Sequence, residues 1–281
     1  MKRIVVIFLA VLLSVIPVAS LNSQTVKAET STGGWTKTYG GTSGDYAYAL
    51  VQTSDGGYAL AGMTESFGAG PLDCWLVKTD ASGNMQWNKT YGGTGSDYAT
   101  AMEQTADGGY ALAGITDSFG AGNTDFWLVK TDANGNAQWN KTYGGIGYDE
   151  AYDLVQTTDG GYALAGETTS FGAGNNDAWL VRTDASGNMM WNRTYGGTNE
   201  DGATALVETS DGGYALAGRT TSYGAGTADF WLVKTKADGT VQDWSPDLVL
   251  IALVAAVIVV VILLAVILMR RKSQRSPKKP S

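Results

Sequence analysis

Four consecutive copies of a 52-residue unit, turn-punctuated runs of β-forming residues and no helical apolar period before Leu248 predict an all-β chain. The expected architecture is a small, four-bladed β-propeller followed by one C-terminal transmembrane helix. A β-sandwich or an open β-solenoid is the competing arrangement of the same repeat.

The repeat is read directly from recurring motifs. Trp35, Trp87, Trp139 and Trp191 are spaced by 52, and each opens a segment ending in Thr-Tyr-Gly-Gly. Asp-Gly-Gly-Tyr-Ala-Leu-Ala-Gly begins at Asp55, Asp107, Asp159 and Asp211, and Asp-x-Trp-Leu-Val-Lys/Arg begins at Asp73, Asp125, Asp177 and Asp229. Units 35–86, 87–138, 139–190 and 191–242 follow without insertion, in a repeat domain of residues 35–244. Within the first unit the β-rich runs are Trp35–Tyr39, Tyr46–Thr53, Tyr58–Thr64 and Cys74–Thr79. Ser54-Asp55-Gly56-Gly57 reads as a tight hairpin with a primed turn, and Asp80-Ala81-Ser82-Gly83-Asn84 as another loop. A lone four-stranded sheet cannot bury both faces, so neighbouring units must cover Leu60, Trp75, Leu76 and Val77. Trp35–Tyr39 matches a strand that elsewhere follows the third one. It is therefore expected to complete the last sheet and close the ring.

Trp-Asn-Lys-Thr-Tyr-Gly-Gly, Asp-Gly-Gly-Tyr-Ala-Leu-Ala-Gly-x-Thr-x-Ser-Phe-Gly-Ala-Gly and Asp-x-Trp-Leu-Val-Lys-Thr-Asp resemble the repeats of secreted and surface β-propeller-type proteins of archaea and bacteria. The resemblance covers residues 35–244. It implies a propeller at the cell surface and implies no reaction.

The ends of the chain differ in kind from the repeats. Residues 1–28 read as a signal peptide: Lys2 and Arg3, then the apolar run Ile4–Val18, then small residues. Residues 29–34 are a linker. After a juxtamembrane linker of residues 245–247, residues 248–269 carry no charged or polar side chain and are long enough to span a bilayer. Residues 270–281 form a tail with six Lys or Arg and no acid, which positive-inside topology places in the cytoplasm. The expected location is the plasma membrane, single-pass, with the repeat domain outside.

Composition narrows the chemistry. With no His and one Cys, a His-based triad, a His-ligated metal and an intrachain disulfide are excluded. The net charge is −8, and residues 30–247 hold 26 acids against 10 bases, which excludes a basic nucleic-acid face. Asp45, Asp97, Asp149 and Asp201 share one phase at the start of the second run. Around a central channel they would make an oxygen-rich ring suited to Ca²⁺; alternatively each caps its own turn. Most acids recur by symmetry, whereas a hydrolase needs two carboxylates in unlike surroundings. The exceptions include Glu150, Asp153 and Glu200. With Tyr46, Tyr48, Tyr98, Tyr148 and Tyr152 in the variable stretch, Glu150 and Glu200 are the candidate ligand-binding residues. Asn88, Asn140 and Asn192 head glycosylation sequons at one phase. The expectation is a non-enzymatic, membrane-anchored surface module that binds or scaffolds an extracellular protein or glycan. A Ca²⁺-dependent module is the alternative, and a glycan hydrolase ranks third.

Overall fold

A computed structural model describes residues 33–241. The chain divides into a unit of residues 1–35 and a unit of residues 36–281, and every described strand belongs to the second. The first sheet comprises β1 (Asp45–Gln52), β2 (Tyr58–Thr64), β3 (Asp73–Thr79) and β4 (Met85–Tyr91). The second has β5 (Asp97–Gln104), β6 (Tyr110–Thr116), β7 (Asp125–Thr131) and β8 (Ala137–Tyr143). The third has β9 (Asp149–Gln156), β10 (Tyr162–Thr168), β11 (Asp177–Thr183) and β12 (Met189–Tyr195). The last has β13 (Asp201–Glu208), β14 (Tyr214–Thr220) and β15 (Asp229–Lys234). Each sheet is an antiparallel meander in chain order. The described part is therefore an all-β repeat of stacked antiparallel sheets.

The hairpins differ from the expected primed turn. Gly56 N–H donates to the Thr53 carbonyl at 2.8 Å and Thr53 N–H to the Gly57 carbonyl at 2.9 Å. Only Gly56 has positive φ, at 84°, whereas a type I′ turn needs two such residues. The extra loop residue lets Asp55 keep an ordinary backbone while its carboxylate accepts from Thr53 Oγ1 and Gly57 N–H.

Hydrophobic burial runs between sheets. Cys74 and Leu76 of the first sheet pack with Met102, Leu112, Trp127 and Val129 of the second. Phe126 and Leu128 pack with Leu154, Leu164, Trp179 and Val181 of the third, and Ala178 and Leu180 with Leu206, Leu216 and Val233 of the last. Phe126 meets Trp179 edge-on, with ring centroids 4.6 Å apart. Each large side chain so buried contributes about 1.5–3 kcal/mol, which a single sheet could not obtain.

Two expectations are corrected. Trp35–Tyr39 forms no strand, although its counterparts β4, β8 and β12 do. A strand needs a ladder partner, and among the described residues no strand pairs with this segment. Nor does this segment complete the last sheet. Instead the Tyr39 hydroxyl donates to the Gly83 carbonyl at 2.6 Å, on the first sheet. The last sheet shows three strands among the described residues, with Val241 bridging Thr235 at its edge, and these residues close no ring: the outward faces of the first and last sheets stay exposed.

Among the described residues no helix is long and apolar enough to cross a membrane. The expected signal peptide, transmembrane run and basic tail lie outside the described residues.

Candidate binding surface

The innermost strands β1, β5, β9 and β13 share one irregularity. Their pairing with β2, β6, β10 and β14 skips Tyr48, Thr100, Tyr152 and Thr204. A β-bulge leaves the extra residue outside the ladder and re-aims its side chain. The neighbouring strand makes room with a glycine: a Cβ on Gly114 would stand 1.9 Å from the Tyr98 carbonyl oxygen. Since the bulge recurs in every unit while its residue varies, side-chain variety is displayed on a constant backbone.

The bulge residues Tyr48 and Tyr152 join the paired residues Tyr98, Glu150, Glu167 and Arg219, with Glu200, in a polar aromatic strip. Tyr48 and Tyr98 approach with ring centroids 6.4 Å apart. The Tyr152 hydroxyl lies 2.6 Å from Glu150 Oε2 and 3.0 Å from Glu167 Oε1. Arg219 donates through Nη1 to Glu200 Oε2 at 3.0 Å, and its Nη2 stands 3.6 Å from Glu167 Oε2. Gly202 leaves space for Glu167, whose Oε2 would lie 2.7 Å from a Cβ there.

The strip is acidic in its electrostatics. Burial, then the Glu150 and Glu167 carboxylates, push the Tyr152 phenol far above its ordinary range. Burial, Glu150 and Tyr48 raise Tyr98. Burial and the Asp97 charge raise the Asp117 carboxyl. The hydrogen bond to Glu200 raises Arg219, so its cation is held firmly. A surface with stacking tyrosines and acceptor carboxylates suits a hydroxyl-rich ligand.

Of the sequence candidates, Tyr48, Tyr98, Glu150, Tyr152 and Glu200 fall in this strip. Tyr46 and Tyr148 are exposed but enter none of its contacts: Tyr46 lines a groove on the first sheet, and Tyr148 N–H donates to Thr169 Oγ1 at 2.7 Å. Asp153 serves a different purpose, since its Oδ2 accepts from Leu206 N–H at 2.6 Å and clamps the third sheet to the last. Glu103 does the same for the Gln156 N–H. Glu167 and Arg219 went unnoticed in the sequence. Their signal was present: they follow the constant Ala-Leu-Ala-Gly, where the first two units have Met63 and Ile115.

The four phase-equivalent aspartates are each satisfied within their own sheets. In the second sheet Asp97 Oδ1 accepts from the Thr116 hydroxyl, and Oδ2 from Ser118 Oγ at 2.5 Å and Gly93 N–H at 2.7 Å. Asp45, Asp149 and Asp201 repeat this with Thr64 and Ser66, Thr168 and Ser170, and Thr220 and Ser222. Burial raises the Asp45 and Asp201 carboxyls, but the hydroxyl and N–H donors outweigh it and leave both lowered. This is the turn-capping arrangement. Among the described residues no three acidic or Cys side chains form a group that could hold a metal such as Ca²⁺.

Asn88, Asn140 and Asn192 lie on the outermost strands, where their amide oxygens accept from the indoles of Trp75, Trp127 and Trp179. Cys74 is fully buried, and burial pushes its thiol far up, which suits packing and not reactivity.

No family model matches the chain. It is similar to the regulatory protein FlaEY of Caulobacter vibrioides, 30% identical over 145 residues, which is 46% of this chain and 15% of FlaEY. The chain thus spans a small fraction of that relative's length. Among solved structures, Sqt1 from Chaetomium thermophilum is 18% identical, with a TM-score of 0.36 over 62% of this chain and 41% of its own.

Proposed function

We propose that this chain is a non-enzymatic, membrane-anchored cell-surface protein whose propeller-like domain binds an extracellular glycan or glycosylated partner. One observation carries the reading: residues that break the 52-residue repeat gather into the strip of Tyr48, Tyr98, Glu150, Tyr152, Glu167 and Arg219. Architecture demands the constant positions, so variation concentrated on one surface points to recognition. Sugar rings stack on tyrosine faces, and carboxylates accept from their hydroxyls. The signal-like start, the apolar run 248–269 and the basic tail support the anchored location.

The test applies the full chain, in detergent micelles, to a glycan array together with generic glycosidase substrates. Binding should weaken at least tenfold in Tyr48→Ala and Glu167→Gln, about 1.4 kcal/mol each. An array without signal, or turnover lost in Glu150→Gln, overturns the proposal.

A further inference from the structure

The two exposed faces of the repeat are the two halves of an interface that the chain already makes three times. On the last sheet Phe230 is 105% and Leu232 71% exposed. Their counterparts Phe126, Leu128, Ala178, Leu180, Cys74 and Leu76 are all 0% exposed, because the next sheet covers them. On the first sheet Leu50 is 64% exposed, whereas Met102, Leu154 and Leu206 at that phase are buried by the preceding sheet. Beside Leu50 runs a groove of about 240 Å³ lined by Tyr39, Ala47, Leu60, Trp75 and Val77. Trp75 is the counterpart of Trp179, the ring that receives Phe126.

The polar contacts are incomplete in the same way. Ser54, Ala106 and Thr158 N–H groups donate to the side chains of Gln104, Gln156 and Glu208 in the following sheet, at 2.9, 3.1 and 2.9 Å. The fourth member of this series would join Ser210 to Gln52. The N-terminal segment shows the same vacancy. Tyr91, Tyr143 and Tyr195 on the outermost strands donate to Gly135, Gly187 and Gly239 of the following sheet, each at 2.7 Å. Tyr39 makes this bond to Gly83, so residues 36–39 stand where a preceding unit's outermost strand would stand. Val241 still bridges Thr235, as Met85 bridges Thr79, but beyond it the chain offers Asp243 and Pro246 where other units have Trp and Thr, a poor sequence for continuing a ladder strand.

We propose that a second copy of this chain fills these places. The last sheet of each copy stacks on the first sheet of the other, and residues 36–39 of one copy pair with β15 of the other. By equivalence with Cys74↔Tyr91, Trp75↔Thr90 and Leu76↔Lys89, the register is Phe230 opposite Tyr39, Trp231 opposite Thr38 and Leu232 opposite Lys37. Four sheets that leave their ends apart turn by less than a quarter circle per step. The next ring that whole chains can close has eight sheets, from two chains, at roughly 45° per step. This inference does not depend on the ligand.

The experiment measures the mass of the full chain in nanodiscs and mixes two single-cysteine variants, Ser210→Cys and Gln52→Cys, with a short bis-maleimide. Native Cys74 is buried and does not compete. The expected result is a discrete dimer, cross-linked only in the mixture. Phe230→Asp should weaken association by at least about tenfold while the thermal melt of the separated chain is unchanged, because Phe230 is fully exposed on the last sheet. A monomer at every concentration, an open-ended polymer, or an intrachain cross-link in the monomeric double variant overturns the proposal.

Discussion

The Lys130 ammonium lies 2.8 Å from Asp107 Oδ2, and only the lysine of this pair is buried: its side chain is 6% exposed, that of Asp107 57%. The same Nζ donates to the Thr131 carbonyl at 2.7 Å and to Gln138 Oε1 at 3.3 Å. The buried cation thus ties β7 and β8 to the turn that Asp107 caps. Lys78 repeats the arrangement with Asp55 and Gln86; buried Arg182 and the half-exposed Lys234 keep the ion pair and the carbonyl contact.

Lys130→Met removes the donor and strands the Thr131 carbonyl, so it should cost about 1–3 kcal/mol in a denaturant melt. Lys130→Arg should cost far less, since Arg182 fills this phase in the third unit and reaches Asp159 at 2.5 Å. Equal losses in both variants would refute the clamp.

Acid should unfold the repeat in a defined window. Burial opposes, but the hydrogen bonds from Lys130, Thr105 and Gly109 hold the Asp107 carboxyl down at about 2; Thr157, Gly161 and Arg182 do the same for Asp159. A depressed folded pKa contributes stability that is present above the unfolded value near 3.9 and lost as pH falls to the folded one. Glu103, Asp125 and Asp153 are raised, chiefly by burial, so their protonation favours the fold as pH drops from neutral. Urea melts should therefore show greatest stability at mildly acidic pH, then loss between about pH 4 and 2. A monotonic decline from pH 7 would contradict this.

Gly114→Ala should destabilise by more than about 2 kcal/mol, because the added methyl meets the backbone of β5 and nothing flexible can yield. Gly108→Ala, at φ 82° with only Ala133 Cβ nearby, should cost about 1 kcal/mol. Similar melts for the two would mean that the bulge is not held by the glycine.

Tyr152→Phe keeps the ring and removes the hydrogen that sits between Glu150 and Glu167. Stability should change by about 1 kcal/mol or less, while ligand affinity falls. Arg219→Ala should likewise move the melt little, the pair being half exposed, yet raise the salt sensitivity of binding. A large stability loss from either would make the strip a structural element.

Much of the fold was legible because it rests on local chemistry. Apolar alternation, glycine-bearing loops and the 52-residue period specify where each strand begins and which face is apolar. The site was half legible: Tyr48, Tyr98, Glu150, Tyr152 and Glu200 stood out by breaking the repeat. Glu167 and Arg219 break it too, but they sit one residue beyond a constant motif and reach the strip only through strand pairing, which the sequence does not display. Asp45 and its equivalents read more readily as caps than as a ring, and the nearby Thr64 and Ser66 hydroxyls donate to Asp45 as a cap requires.

By itself the sequence determined that equal β-sheets must stack, since each carries two apolar faces and nothing else in the repeat can cover them. Only the tertiary structure decided that, among the described residues, the first and last of them leave their outward faces uncovered. The angle between stacked sheets follows from how side-chain volumes such as Phe126 against Trp179 interlock, and no pattern of polar and apolar letters encodes that angle.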